Sequence, residues 1–203
     1  MQKVYLIRHG ETEWNRQLRY QGQRDISLNE EGRRQAMLIA DYLSQENIEA
    51  VFSSPLLRAR ETAAQIAAKH GLGIHLEECL LEIDFGEWEG RLYTDFEEEQ
   101  RLIAERWFIN PESVSIPGGE LYPAFRERVL AGYQRILHGN NKSKVLVTHA
   151  GVIRVIVSAV LEMPANILAR LRLSPASLTI LLYDDWGNPY LELLNGASHL
   201  TGR

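Results

Sequence analysis

Arg8 and His9 stand side by side at the end of an apolar run, VYLIRHG, and Gly10 then breaks the chain. A permanent cation beside an imidazole disfavours the imidazolium, so the pair is costly unless something anionic sits against it. His149 repeats the arrangement: VLVTH is a second apolar run, and Gly151 follows within two residues. Arg58 adds a third point. In SPLLRARETA it falls in or just after the first turn of an expected helix, where the positive end of the macrodipole opposes a cation. An anion bound at that helix end reverses the argument, because backbone donors and arginine then act together. Arginine's planar fork suits phosphoryl oxygens. One phosphate ringed by Arg8, His9, Arg58 and His149 is the chemistry these types imply.

Two histidines with a nearby carboxylate could also describe a zinc site of the His2Glu kind. Against that, Arg8 and Arg58 would repel a divalent cation, and no histidine pair has helical HxxxH spacing. Neither a metal nor a cofactor is expected. The other histidines have plainer readings. His70 and His138 each precede a glycine at the end of a helical pattern and are expected at helix C-termini. His75 and His199 show no visible partner.

The elements that must position these groups follow from periodicity. KVYLIR is a first strand. Leu28, Ala36, Ile39, Ala40 and Leu43 recur at helical spacing with Asn29 as N-cap. EAVFSS is a second strand, and Ser54-Pro55 reads as an N-cap followed by Pro at N1 of the helix LLRARETAAQIAAKH, which ends at Gly71. GIHLEE is a short strand. CLLEIDFGEWEGR has no steady period and reads as a functional loop. Residues 93–108 are helical in pattern, NPESVSIPGGE is a loop, and a helix runs from Leu121 to Leu137. KSKVLVTH is a further strand, followed by a helix from Val152 to Leu161. SLTILLYDD and PYLELLN are late strands joined by the turn WGN. Such alternation implies an α/β class, a three-layer α/β/α sandwich with a mostly parallel central sheet, whose ligands gather at the carboxyl ends of the strands. Two central parallel strands would bring His9 and His149 to one sheet edge.

The chain of 203 residues, with no linker or repeat, is expected to form one domain over residues 1–203. A net charge of -5 argues against nucleic acid and anionic membrane as partners. The apolar run before Arg8 is too short for a signal-peptide core, and VIRVIVSAVLEMP is interrupted by Arg154, so a cytosolic location is expected. Cys79 is the only cysteine, which rules out an intrachain disulfide.

LIRHGETEWN, SSPLLRARETA, a Glu ahead of FGEWEG, and VTHAGVIR, in that order, resemble the histidine phosphatase superfamily, which includes the cofactor-dependent phosphoglycerate mutases. The matches run from residue 4 to about 154, and the closing LNGASHL looks like phosphatase members. The resemblance implies a phosphoglycerate mutase-like fold with His9 as nucleophile and Arg8, Arg58 and His149 holding the phosphoryl group. Asn15 is carried over as a phosphate-pocket donor, and Gln21, Gly22 and Ala150 as substrate-binding positions. Ala150 stands where many members have a second glycine. Glu82 is carried over as proton donor to the leaving oxygen; Asp84, Glu87 and Glu89 are carboxylates too, and spacing alone does not choose among them. A protonated His149 would add positive charge beside the arginines, and Gly10 would leave room for the phosphoryl group.

Hydrolase and mutase share this core. YTDFEEEQRLIAERWF carries four acidic residues within five positions, the wrong sign for phosphoglycerate, so hydrolysis is favoured over mutase activity. NPESVSIPGGELYPAF resembles the PGGES loop of α-ribazole phosphatases, with Leu121 in the Ser position. The expected substrate is a small phosphorylated metabolite, with α-ribazole 5'-phosphate of cobalamin biosynthesis placed ahead of a broad-specificity range. Trp88, Trp107 and Phe108 could wall a base or ring. A non-catalytic phosphate-binding or regulatory protein is the alternative of a different class. A homodimer is the assembly to test.

Overall fold

In β1 (Gln2–Arg8), Val4 and Leu6 pack into one apolar cluster and Tyr5 and Ile7 into another. Neighbouring side chains of a strand point to opposite faces, so a run buried on both faces needs a layer of helices on each side. The computed structural model, which describes residues 1–139 and 143–201, has that arrangement. Its elements continue with α1 (Glu13–Arg16), α2 (Glu30–Leu43), β2 (Ala50–Ser53), α3 (Leu57–His70), β3 (Ile74–Leu76), α4 (Glu98–Ile109), α5 (Tyr122–Leu137), β4 (Ser143–Thr148), α6 (Ala150–Val160), β5 (Leu178–Tyr183) and β6 (Pro189–Gly196). The six strands form one sheet in the order β3-β2-β4-β1-β5-β6.

β3, β2, β4 and β1 run parallel, while β5 and β6 are antiparallel to their neighbours. The expected α/β sandwich with a mostly parallel sheet is therefore present, closed on one side by an antiparallel hairpin. Ile39, Ala40 and Leu43 of α2 and Ala59, Ala63 and Ile66 of α3 cover one face. The alanines let two helices share a narrow layer. Phe125, Val129 and Tyr133 of α5 and Val152, Ile153 and Ile156 of α6 cover the other.

Helix boundaries follow local chemistry. Asn29 accepts from the Gly32 amide at 2.7 Å, the N-cap expected for α2. Gly71, at φ 64°, ends α3 in the left-handed region that glycine tolerates. The Ser54-Pro55 cap is a misreading. α3 starts at Leu57, and the Leu57 amide donates to Asp25 Oδ1 at 2.6 Å, a cap supplied from a distant loop. α6 begins at Ala150, immediately after His149, two residues earlier than the apolar period suggests. The helical stretch at 93–108 is a 3-10 turn over Tyr93–Asp95 followed by α4. The start of KSKVLVTH at Lys142 lies outside the described residues.

A third apolar cluster, Trp88, Phe96, Ala104 and Ile116, sits apart from the sheet, with Tyr20, Phe85 and Trp107 against it. It holds together the otherwise irregular segment between β3 and α5.

Candidate active site

β1 and β4 are paired in register with Arg8 opposite Thr148, so the next residues, His9 and His149, emerge together from the carboxyl edge of the sheet. Their ring centroids are 5.1 Å apart, and both are buried. The His9 peptide continues the pairing just past the end of β1: its N–H donates to the Thr148 carbonyl at 2.9 Å, and its carbonyl accepts from the Ala176 amide at 3.0 Å.

Two neighbours dictate the protonation of His9. Its Nδ1 is 2.7 Å from the Gly10 carbonyl, which only accepts, so Nδ1 carries the hydrogen. Arg58 Nε, which only donates, is 3.3 Å from His9 Nε2, so Nε2 presents a lone pair. Burial, then Arg58, then Arg8 hold the His9 pKa well below the usual histidine range. A neutral imidazole with Nε2 free is the form that can attack phosphorus.

Arg58 is buried in the first turn of α3, and the carbonyls of Arg24 and Gly22 accept from its two terminal nitrogens at 2.7 Å each. Burial brings its pKa down to about 10, opposed by Glu82, Asp25 and Glu89. Arg8 is lowered by burial to about 10, with Glu82 opposing. It is anchored through one terminal nitrogen to the Leu173 carbonyl at 2.6 Å, and its buried Nε has no partner. Both arginines therefore stay cationic near neutrality.

His149 Nε2 meets Ser54 Oγ at 2.8 Å, and its buried Nδ1 has no partner. Burial, then Arg58, His9 and Arg8, push its pKa well below the usual range. The expected imidazolium therefore needs an anion beside it, since burial and the neighbouring cations disfavour it. The orphaned nitrogens of Arg8 and His149 mark where an acceptor-rich ligand would complete the hydrogen bonding.

Glu82 is the carboxylate that meets this cluster. Its Oε2 accepts from the Gly151 amide at 3.1 Å in the first turn of α6, and its Oε1 from its neighbour Ile83 at 3.1 Å. A Cβ at Gly151 would collide with Glu82 Oε1, so any larger residue there would push the Glu82 carboxylate aside. Asp84 closes a local turn by accepting from Gly86 N. Glu89 accepts from the amides of Gln23 and Phe85 and pairs with Arg24 at 3.2 Å. Glu87 lies at a separate surface cleft with Gly118.

The loop bearing Glu82 is braced from outside. Arg128 of α5 donates to the carbonyls of Glu78, Cys79, Leu81 and Glu82 and is gripped by Glu120 at 3.0 and 2.8 Å. Glu120 belongs to the PGGE stretch, whose backbone docks on the same loop through Glu87 N to Pro117 O and Glu120 N to Asp84 O, both 3.0 Å. At Gly86 a Cβ would strike the Gly118–Gly119 peptide. PGGE is therefore a bracket for the loop, more than a turn.

The remaining sequence candidates sit around the rim. Asn15 Oδ1 accepts from Thr12 N at 3.1 Å in the capping box of α1, and Gln21 Oε1 accepts from Thr12 Oγ1 at 2.9 Å. Gly22, at φ 52°, gives its carbonyl to Arg58, and a Cβ there would collide with Glu89. Ala150 opens α6 with no left-handed strain, so its Cβ is tolerated. At Gly10 a Cβ would meet the Gly32 carbonyl, so glycine there serves the close approach of α2. The four acidic residues at 95–99 are a solvated helix start, with Asp95 accepting from Leu92 N. His70 ends α3, and His138 Nδ1 lies 2.7 Å from the Gln134 carbonyl at the end of α5. His199 Nε2 is 3.0 Å from the Ala176 carbonyl, and His75 stacks on Phe52.

Two openings adjoin the cluster. A narrow cavity of about 70 Å³ is lined by Glu82, Gly151 and Arg154 together with Phe85, Trp107 and Phe108. A shallower cleft of about 430 Å³ passes Arg8, Asn15, Tyr20 and Ser174. Trp88 is fully buried in the satellite cluster and is no part of either wall. Ser54, Gly151, Arg128 and Arg154 are the site residues that sequence reasoning did not single out. The signal for Gly151 was its place in HAG; Arg128 carried none.

The family description "Histidine phosphatase superfamily (branch 1)" matches residues 4–196. Phosphoserine phosphatase 1 of Hydrogenobacter thermophilus is 33% identical over 98% of this chain and 95% of its own length. A bifunctional protein of Mycobacterium tuberculosis is 36% identical over 98% of this chain. The chain spans 55% of that protein's length, about half of the first curated relatives it matches. Among solved structures, an Escherichia coli protein provisionally named an α-ribazole-5'-phosphate phosphatase superposes with a TM-score of 0.87 at 26% identity, covering 96% of both chains.

Proposed function

Because the chain belongs to the histidine phosphatase superfamily, we propose that it is a phosphomonoesterase acting on a small phosphorylated metabolite through a phosphohistidine. The observation that carries this reading is His9: buried, with a hydrogen on Nδ1 and a lone pair on Nε2 by its hydrogen-bond geometry, against Arg58 and near Arg8.

In the first half-reaction His9 Nε2 attacks phosphorus, a P–N bond forms, and the P–O bond to the leaving alcohol breaks. Glu82, in its protonated form, gives its proton to that oxygen. Arg8, Arg58 and the Ala150 amide take charge on the equatorial oxygens, with Asn15, Gln21 and Gly22 shaping the rim. The dianion also draws a proton onto His149, since the repulsion that keeps it neutral is then cancelled. In the second half, water gives a proton to the Glu82 carboxylate as its oxygen attacks phosphorus. The P–N bond breaks and inorganic phosphate leaves.

The activity is assigned to the cytosol and to one domain spanning the chain, with a homodimer as the assembly to examine. Two kinds of leaving alcohol fit the relatives. α-Ribazole 5'-phosphate matches the name of the Escherichia coli structure, and a carboxylate-bearing ester matches that of the Hydrogenobacter relative. A mutase would share the phosphoenzyme, and it would show isomerisation of 3-phosphoglycerate outrunning phosphate release.

The test is turnover of p-nitrophenyl phosphate, inhibited by vanadate and unaffected by EDTA. Acid-labile phosphate should be trapped on the protein and lost, with at least about a thousandfold drop in kcat, in His9→Ala. Substantial activity in that variant would sink the nucleophile assignment. Stable binding of phosphate esters without turnover would favour the non-catalytic alternative.

A further inference from the structure

Asn195 and His199, from the closing stretch LNGASHL, line neither opening of the site, yet both fasten the segment 173–177 on which Arg8 rests. Near the end of β6 a step of three residues, Leu193 to Gly196, is matched by a step of two in β5, Ile180 to Leu178. This bulge puts Asn195 at φ 55°, in the left-handed region that asparagine tolerates better than most residues. There its amide donates to Thr179 Oγ1 at 3.3 Å, and its Oδ1 accepts from the Ser174 amide at 2.7 Å. In the turn after β6, His199 Nε2 lies 3.0 Å from the Ala176 carbonyl. A carbonyl only accepts, so Nε2 carries the hydrogen.

The fastened segment is strained. Ala176 is at φ 54°, which its Cβ disfavours. It keeps that shape because both of its peptide groups are bonded, the amide to the His9 carbonyl at 3.0 Å and the carbonyl to His199. The same segment supplies two carbonyls to Arg8: Leu173 accepts from a terminal nitrogen at 2.6 Å, and Ser177 from the backbone amide at 3.2 Å. With its Nε buried and without a partner, the Arg8 guanidinium takes its direction from the Leu173 carbonyl. A guanidinium fork meets phosphoryl oxygens in a fixed geometry, so a displacement of about one ångström is enough to lose much of its effect.

We propose that Asn195 and His199 are positioning residues of this site: by fastening Ser174 and Ala176 they set the reach of Arg8 toward the phosphoryl group and the seat of the His9 carbonyl. This rests on the phosphatase reading above and adds to it a role for the LNGASHL stretch.

The experiment pairs a disabling with a rescuing substitution at each position. Asn195→Gly keeps the left-handed backbone and removes the acceptor, whereas Asn195→Asp keeps both. His199→Phe keeps a ring beside Tyr42 and removes the donor, whereas His199→Gln keeps an N–H at similar reach. Asn195→Gly and His199→Phe should lower kcat/KM by about 5- to 50-fold, by the same factor for p-nitrophenyl phosphate and for an aliphatic ester, and should weaken calorimetric binding of inorganic phosphate in step. Asn195→Asp and His199→Gln should recover most of both. In an Arg8→Gln background, Asn195→Gly should weaken phosphate binding no further, the non-additivity expected when one residue acts through another. All assays run well below the melting temperature of each variant. A lowered melting temperature with kcat/KM and phosphate affinity unchanged, or losses that simply multiply in the Arg8→Gln background, would overturn the proposal. Failure of wild type to turn over p-nitrophenyl phosphate or to bind phosphate would count against the phosphatase reading instead. The NMR signals of the Arg8 guanidinium then decide its placement separately: they should shift in Asn195→Gly and His199→Phe and return in the rescuing variants, and unshifted signals would overturn the positioning role.

Discussion

The two halves of the site are built by different means. The phosphoryl half stands on the sheet: His9 and His149 leave adjacent parallel strands in register, and Arg58 comes from the first turn of a packed helix. The leaving-group half stands on a segment from Glu78 to Glu120 that is irregular apart from α4 and short 3-10 turns, held by Arg128, Glu120, Glu89 and a satellite aromatic cluster. Main-chain pairing places His9, whereas side-chain clamps place Glu82 and the cavity. The contrast teaches that the histidine pair sits on the part fixed by main-chain pairing, and Glu82 on a part held by many separate side-chain fastenings, each replaceable by a single substitution.

Perturbing each half should give distinguishable signatures. Glu82→Gln is expected to have the largest effect on the second half, slowing esters of aliphatic alcohols by about 100- to 10,000-fold. p-Nitrophenyl phosphate, whose leaving group needs no proton, should slow far less, and equal slowing would break the comparison. Gly151→Ala forces Glu82 off the α6 amide and should give the same pattern at smaller amplitude, roughly 10- to 100-fold on aliphatic esters, with vanadate affinity little changed. The first half should announce itself through pH. His9 and His149 have pKa values depressed in the folded state, so as pH falls below the ordinary histidine value of about 6.5 the unfolded chain takes up protons that the folded chain refuses. Stability should therefore be complete above that value and decline on acidification. The melting temperature is expected to drop by roughly several degrees between pH 7.5 and 5 in phosphate-free buffer, and a folded His149→Asn variant should show a shallower decline. An unchanged slope would mean that burial does not hold these imidazoles neutral.

How much of this was legible in the chain follows the same division. β1 and β4 announce themselves as doubly buried apolar runs that end on histidine, and Arg58 stands out because a cation in a first helical turn is opposed by the dipole. Ser54 misleads, because Ser-Pro has the form of a helix start. Its hydroxyl faces His149 instead, and Asp25 caps the helix from 32 residues away. Glu82 could not be chosen from four neighbouring carboxylates by spacing, since what separates it is contact with a helix 69 residues later. Arg154 looked like a charge interrupting an apolar helix, and its surroundings are set by α4 and the loops around it. No pattern of period 2 or 3.6 encodes such contacts.

The His9 peptide, bonded on one side to Thr148 and on the other to Ala176, has a further consequence for motion. Its amide is held at the carboxyl edge between the two central strands β1 and β4, so it is expected to exchange with solvent deuterium more slowly than amides of the irregular loops. The Gly86 and Glu87 amides, bonded to Asp84 Oδ1 and Pro117 O in the bracketed loop, are expected to be released by smaller openings. The backbone of His9 thus keeps its place through fluctuations that open the bracketed loop.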